Sequence, residues 1–297
     1  MLLIPKSGYA WLPWITAAAL SLVFAGLMRA DINHHQQLWQ ERVDIWIQYQ
    51  QEAVENRRQE RAQQALILAK LITRDTELLA LIREAQGYFV AEETALVQAA
   101  RLRLQAKLDD YWVSMRELGA PRLSVYFAPE AISFLRMDMP ARAGDSIGGI
   151  RPMIKQVFTT GMPAWGADIS RSGSGPCAVL PIMAEGDQSG AVIAVLEVGM
   201  APLIQSETDP SSLHIASFLH KEAVEKILWD SSRQLLRRAN PTTVDEWQLE
   251  RTGDLMLYDW WNKGKIAINR SGQLLHKEKQ TYLASWVPLA QVGFSAP

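Results

Sequence analysis

The sequence predicts an α+β protein carried on an N-terminal transmembrane helix and a long helical stalk. Three observations lead there. Residues 9–28 form an uncharged apolar run. Residues 31–118 hold no proline and a single glycine, Gly87. Beyond Pro121 short apolar runs alternate with Gly, Pro, Asp and Ser. At 297 residues the chain has room for two modest domains, or one domain on a stalk. Hydrophobic residues make up 48% and charged residues 21%, which excludes intrinsic disorder as a description. Thirty Lys and Arg against thirty-two Asp and Glu leave a formal charge of −2, so no nucleic-acid partner is expected. One cysteine excludes an internal disulfide framework and a Cys-based zinc cluster. Five histidines, two of them adjacent, argue against a metal enzyme, and no cofactor is expected.

The run YAWLPWITAAALSLVFAGLM, residues 9–28, matches the length a helix needs to cross a bilayer. Trp11 and Trp14 suit the interface, and Pro13 falls in the first turn, where a missing N–H costs little. Lys6 favours a cytoplasmic N-terminus (residues 1–8), while Arg29 leaves the orientation open on charge alone. A cleaved signal peptide is the alternative; the absence of a small-x-small cleavage site favours an anchor. No later stretch is long enough to span. The bulk of the chain is therefore expected in the periplasm, anchored once in a bacterial inner membrane.

Residues 29–120 read as the helical stalk. Gln, Glu, Arg, Ala and Leu dominate, and apolar residues recur at helical spacing, as at Leu68, Ile72, Leu79, Ile82, Leu104, Leu108, Tyr111 and Met115. A break is expected near Thr73–Thr76, with Thr73 and Thr76-Glu77 supplying capping groups for a restart. The stripe can pack on the chain's own domain or form a dimeric seam; Gln50 and Arg57 interrupt a strict heptad. His34 and His35 point about 100° apart on a helix. They read as a solvated juxtamembrane pair, not a chelate.

From residue 121 to 208 the texture predicts a sheet module. RLSVYFA reads as a strand, ARAGDSIGG as a turn, and RPMIKQVFTTG as a helix ended by Gly161. CAVLPIMA and AVIAVLEVGM read as a hairpin. This order suits an antiparallel sheet with helices on one side, the general shape of a Per-Arnt-Sim-like sensor domain. Residues 209–297 read as a smaller module of related shape. Residues 212–238 are mostly helical in this reading. LMLYDWWNKGKIAINRSGQLLHKEKQTYLASWVPLA reads as three strands with turns at 262–264 and 270–272.

Taken together, Ser133-Phe134-Leu135-Arg136, Gly144-Asp145, Arg151, the Gly161-Met162-Pro163 turn and Glu197-Val198-Gly199 resemble the extracytoplasmic double Cache sensor domain, in its type 3-like subfamily. LAKLITRDTELLALI is similar to that family's helix-break region. Such domains belong to bacterial chemoreceptors, sensor histidine kinases and diguanylate cyclases. The resemblance implies a long helix carrying two stacked α+β modules, the first membrane-distal and the second membrane-proximal. It also implies small-molecule sensing with signalling across the membrane. The chain departs from the pattern at Phe127, where a histidine is expected, at Asp168, where a glutamate is expected, and at Cys177, where an arginine is expected. The family adds one more strand, a second membrane helix and an output domain after a segment like YLASWVPLAQVGFSAP, so the proximal module reads as incomplete.

The candidate ligand-binding residues are Arg136, Arg151, Tyr126, Phe134, Trp165 and Asp168. The resemblance puts Arg136 and Arg151 in the region that faces the distal module's pocket. Their planar forks suit the carboxylate of a small organic acid or an amino acid. The helix opening near Arg151 would add a positive dipole end. The structural alternative for Arg136 is an ion pair with Asp138, Asp145 or Glu197. Tyr126, Phe134 and Trp165 are either pocket walls or core, and Asp168 either meets a ligand amine or caps the Ser170–Gly173 turn. Cys177 reads as a buried small hydrophobe. No nucleophile elbow, P-loop, zinc-protease motif or dinucleotide glycine pattern occurs, so the chain is not expected to be an enzyme. A homodimer through the stalk is expected, because a lone helix has little to slide against. The competing reading is a membrane-anchored scaffold with a degenerate Cache fold that binds a protein partner.

Overall fold

The structure, a computed structural model, describes residues 12–184, 190–201, 216–244, 246–252, 255–266, 268, 273–277, 280–284 and 294–295. They form two compact units, residues 1–52 and 53–297. The first is the N-terminal part of α1 (Leu12–Ile72), a helix of 61 residues. It includes an 18-residue window of mean hydropathy 1.6, none of it buried, so the helix is long and apolar enough to cross a membrane. Trp14, Leu20, Leu22 and Phe24 are all largely exposed. Among the later residues, His35 turns its Nδ1 back to the Asp31 carbonyl at 3.0 Å.

The second unit begins with helices. α1 ends at Ile72, and α2 (Thr76–Val90) and α3 (Thr94–Glu117) follow. The break falls where the sequence places it, but the cap differs. Asp75 accepts from the Leu78 N–H at 3.0 Å, while Thr73 donates its hydroxyl back to the Ala69 carbonyl at 3.1 Å. A carboxylate is the better N-cap because it also complements the helix dipole. Asp75 further accepts from Tyr111 at 2.9 Å, which ties α2 to α3.

Strands β1 (Arg122–Phe127), β2 (Ile132–Arg136), β3 (Ala164–Ser170), β4 (Gly173–Met183) and β5 (Val192–Gly199) follow, with α4 (Pro152–Thr160) between β2 and β3. With the short β11 (Phe294–Ser295) they form one antiparallel sheet in the order β11-β3-β4-β5-β1-β2. Pro152 opens α4 and Gly161 closes it at φ +66°, a left-handed conformation that favours glycine. β4 and β5 pair as the expected hairpin.

The expectation of helices on one side is corrected: both faces of the sheet are covered. On one face Leu123, Val125, Phe127, Leu180, Leu196 and Val198 pack with Ala65, Ile72, Ile82, Leu104 and Leu108 of α1–α3. Each fully buried Leu or Phe contributes on the order of 1.5–3 kcal/mol. Residues from Ala65 onward that the sequence assigns to a stalk are thus core of this module, and the helical stripe packs on the chain's own domain. On the other face α4 sets Met153, Ile154 and Val157 against Tyr126, Cys177, Val179 and Val195.

The second module is smaller. β6 (Ala216–His220), β7 (Thr243–Val244) and β8 (Trp247–Thr252) form a three-stranded antiparallel sheet. α5 (Lys221–Ile227), α6 (Asp230–Ala239) and α7 (Leu255–Asn262) accompany it, and β9 (Gln273–Lys277) pairs with β10 (Gln280–Ala284). LMLYDWWN is therefore helical and not a strand. Its face buries Trp260 and Trp261 against Leu249, and Trp261 Nε1 donates to the Thr242 carbonyl at 3.0 Å. The expected turn at 262–264 is present, while the one at 270–272 lies outside the described residues. The two modules meet where Ser174 donates from its N–H (2.7 Å) and its hydroxyl (2.5 Å) to Glu250, and where Trp229 N–H donates to the Arg171 carbonyl at 3.1 Å.

Candidate functional site

The face of the first sheet under α4 carries charge where the opposite face carries none. The register explains how. Ser124 on β1 stands between Arg136 on β2 and Glu197 on β5, and Asp168 on β3 pairs with Gly175 on β4. Period-2 alternation puts Tyr126, Ser124, Glu197, Cys177 and Asp168 on one side. Arg151, the N-cap of α4, reaches across to this row.

Arg151 is 2% exposed. Its Nε donates to Asp168 Oδ2 at 2.8 Å, and its Nη2 donates to Glu197 Oε1 at 2.6 Å. Tyr126 donates its hydroxyl to Glu197 Oε2 at 2.8 Å. Arg122 Nε lies 3.4 Å from Glu197 Oε1, and its Nη1 donates to Ser170 Oγ at 2.5 Å. The Arg122 guanidinium lies against the Cα of Gly199, where a Cβ would enter it and the guanidinium would have to shift. Arg136 holds Asp145 with two bonds, 2.7 and 3.1 Å, and also donates to the Arg142 carbonyl at 2.5 Å. Its guanidinium sits 4.9 Å from the Trp229 ring centre and 5.9 Å from that of Tyr126.

Arg122, Arg136 and Arg151 thus meet Glu197, Asp168 and Asp145 on this face, with the buried Asp138 carboxyl beside them. Burial alone would raise the Glu197 carboxyl, but the Arg151 and Arg122 charges and the bonds from Arg151 and Tyr126 outweigh it and hold it at about 2. Burial, with the Glu197 charge beside it, pushes the Tyr126 phenol well up, so it stays a donor. Burial likewise pushes the Cys177 thiol up to about 12, with Glu197 and Asp168 adding to it. That thiol is a packing group against Met153 Sδ at 3.8 Å, not a reactive thiolate. Asp138 is raised by burial, and its Oδ1 is buried without a hydrogen-bond partner.

Of the six residues singled out from the sequence, the fold brings four together: Tyr126, Arg136, Arg151 and Asp168. The other two lie in core, the second of the two readings open to them. Phe134 stacks on Phe127 at 4.3 Å between ring centres, under Arg101, in the α2–α3 core. Trp165 packs against the same core. Neither shares a space with the arginines. Arg136 takes its structural alternative, the pair with Asp145. Asp168 serves neither as a free acceptor nor as the cap of the 170–173 turn; it pairs with Arg151, and Ser170 accepts and donates within the turn instead. Sequence reasoning assigned no site role to Glu197 or Arg122. A lone acid inside the apolar run AVIAVLEVG was the available signal, since such a charge is buried only when paired.

One cleft opens above this network, between the β3–β4 turn and the α5–α6 turn, with a volume of about 540 Å³. Arg142, Arg171, Trp229 and Ser231 line it with residues of α5 and α6.

No family model matches the chain, and no curated protein matches it either.

Proposed function

We propose that the chain is the extracytoplasmic small-molecule sensing region of a membrane-anchored signal-transduction protein, of the chemoreceptor, histidine kinase or diguanylate cyclase type, built as a double Cache domain. One observation carries the reading. A single helix, α1, contains both the apolar window and the residues Ala65, Ala69 and Ile72 that are buried in the core of the sheet module. A change of packing around those residues acts directly on the helix that would enter the bilayer. Shifts of an ångström or two are enough to bias a two-state output. Ligand control requires different affinities in the two states. The ligand in this reading is a small organic acid or amino acid, the bulk of the chain is periplasmic, and two copies pair through α1.

The test is calorimetry on the full chain in detergent against organic acids, amino acids and amines, with thermal unfolding in parallel. Saturable binding of one class with a raised unfolding midpoint is the expected result. A flat response to every compound would sink the sensing reading.

The scaffold reading has one observation in its favour: Arg136 and Arg151 already hold protein carboxylates. A full chain that ignores the whole panel yet retains a protein partner on pull-down from the envelope would establish it in place of sensing.

A further inference from the structure

The geometry points to a small-anion site in the cleft between the two modules, gripped by Arg142 and Arg171. This inference rests on the sensing reading above and names its site and ligand class. The cleft's 540 Å³ falls within the ~300–1,000 Å³ typical of small-molecule pockets. Its cations differ in how far their charge is already met. Arg233 pairs with Glu225 at 3.2 Å and also with Asp230, and Lys226 pairs with Glu222 at 2.5 Å. Arg142 is exposed. It donates to Ser231 Oγ at 3.1 Å and lies 4.6 Å from the Trp229 ring centre, and among the described residues it forms no ion pair. Arg171 donates its Nη1 to the Ile227 carbonyl at 3.4 Å, and its Nε is buried without a hydrogen-bond partner. Its carboxylate neighbour, Asp145 at 3.5 Å, is already engaged twice by Arg136.

Two guanidiniums that line one cleft, neither with a carboxylate of its own, are complementary to a small anion whose carboxylate or phosphate oxygens reach both. Such an anion would be held from two sides. Arg142 and Arg171 belong to loops of the first module, while Trp229 and Ser231 belong to the α5–α6 turn of the second. The site also touches the buried network, because Asp145 is shared between Arg171 and Arg136, and Arg136 stacks on Trp229. Binding there would draw the modules together and reset the charge that Arg136 feels. Arg136 and Arg151 are positioning residues in this account, and Arg142 and Arg171 are the ligand's partners.

The experiment titrates the full chain in nanodiscs with succinate, citrate and inorganic phosphate, by calorimetry and by thermal unfolding. The two carboxylates against phosphate tell the two sources of anionic oxygen apart. Arg142→Ala and Arg171→Gln are compared with wild type and with Arg74→Ala, an exposed arginine outside the cleft. Each variant's ligand-free unfolding midpoint separates lost binding from lost folding, and exposed Arg142 is the variant least exposed to that ambiguity. The expected result is saturable binding of at least one anion, weakened about tenfold or more by each cleft substitution and unchanged by Arg74→Ala. Binding that survives both cleft substitutions overturns this site and leaves the sensing reading standing. No anion bound, with an amine or neutral amino acid bound in the wider panel, overturns the anionic class alone. No compound of either panel bound overturns both.

Discussion

The two faces of the six-stranded sheet are built on different physics. Toward α1–α3 the face is apolar throughout, and Leu104, Leu108, Phe127 and Leu196 meet as a dry core. Toward α4 the same strands present Tyr126, Asp168, Glu197 and the forks of Arg122 and Arg136, and Arg151 reaches down to them from the start of α4. Burial stabilises the first face roughly in proportion to area. The second gains little net stability, because desolvating six charges offsets most of their mutual attraction. What the charged face supplies is geometry. Arg151 fixes the start of α4 to β3 and β5 at once, and Arg136 fixes the 142–145 loop. The lesson is an asymmetry: the apolar face degrades in proportion to what is removed, whereas the charged face fails when one partner goes and leaves another stranded.

Substitutions can break that asymmetry. Arg151→Ala strands both Glu197 and Asp168 and is expected to cost about 3–5 kcal/mol in denaturant unfolding of the full chain, the largest effect. A loss under about 1 kcal/mol would show that water reaches and solvates the carboxylates. Leu104→Ala on the opposite face opens a cavity in the dry core and is expected to cost about 3 kcal/mol, with the α4 network intact. If it costs as much as Arg151→Ala, the two faces do not differ in the way argued.

Acid sharpens the comparison without mutation. The Glu197 carboxyl sits at about 2 in the folded chain against an ordinary 4.5. A lowered folded value means that its contribution is complete above about pH 4.5 and is lost as pH falls toward about 2. The loss is on the order of 3 kcal/mol. A pH series of unfolding free energies reads it, and Glu197→Gln is expected to flatten most of that slope. A slope unchanged in Glu197→Gln would place the acid sensitivity elsewhere. The smallest effect is Gly199→Ala, whose new Cβ displaces the Arg122 guanidinium from its bed, at about 1–3 kcal/mol. A neutral outcome would mean that Arg122 swings clear and is dispensable to the network.

Much of the architecture was legible before the fold was known. The apolar N-terminal window, the helix break at residues 73–75, α4 with its glycine stop and the β4–β5 hairpin all follow from local signals. The cover on both faces of the sheet has its own signal, since CAVLPIMA and AVIAVLEVG are continuous apolar runs of the kind that mark strands covered on both sides. LMLYDWWN reads as a strand because a short aromatic run has no period long enough to tell helix from strand. At the site, the sequence offers the arginines and several acids but not their pairing: Asp145 falls to Arg136, while Asp168 and Glu197, on other strands, fall to Arg151.

The α+β class, the apolar helix and the β4–β5 hairpin are written in local sequence, because each depends on neighbours a few residues apart. Only the tertiary structure decided that Phe134 and Trp165 belong to the far face and that Glu197 takes the fork of Arg151. It also decided that Arg142 and Arg171 face an open cleft beside Trp229. Those outcomes depend on strand register and module docking, where a carboxylate dozens of residues away meets a guanidinium only after the sheet has closed.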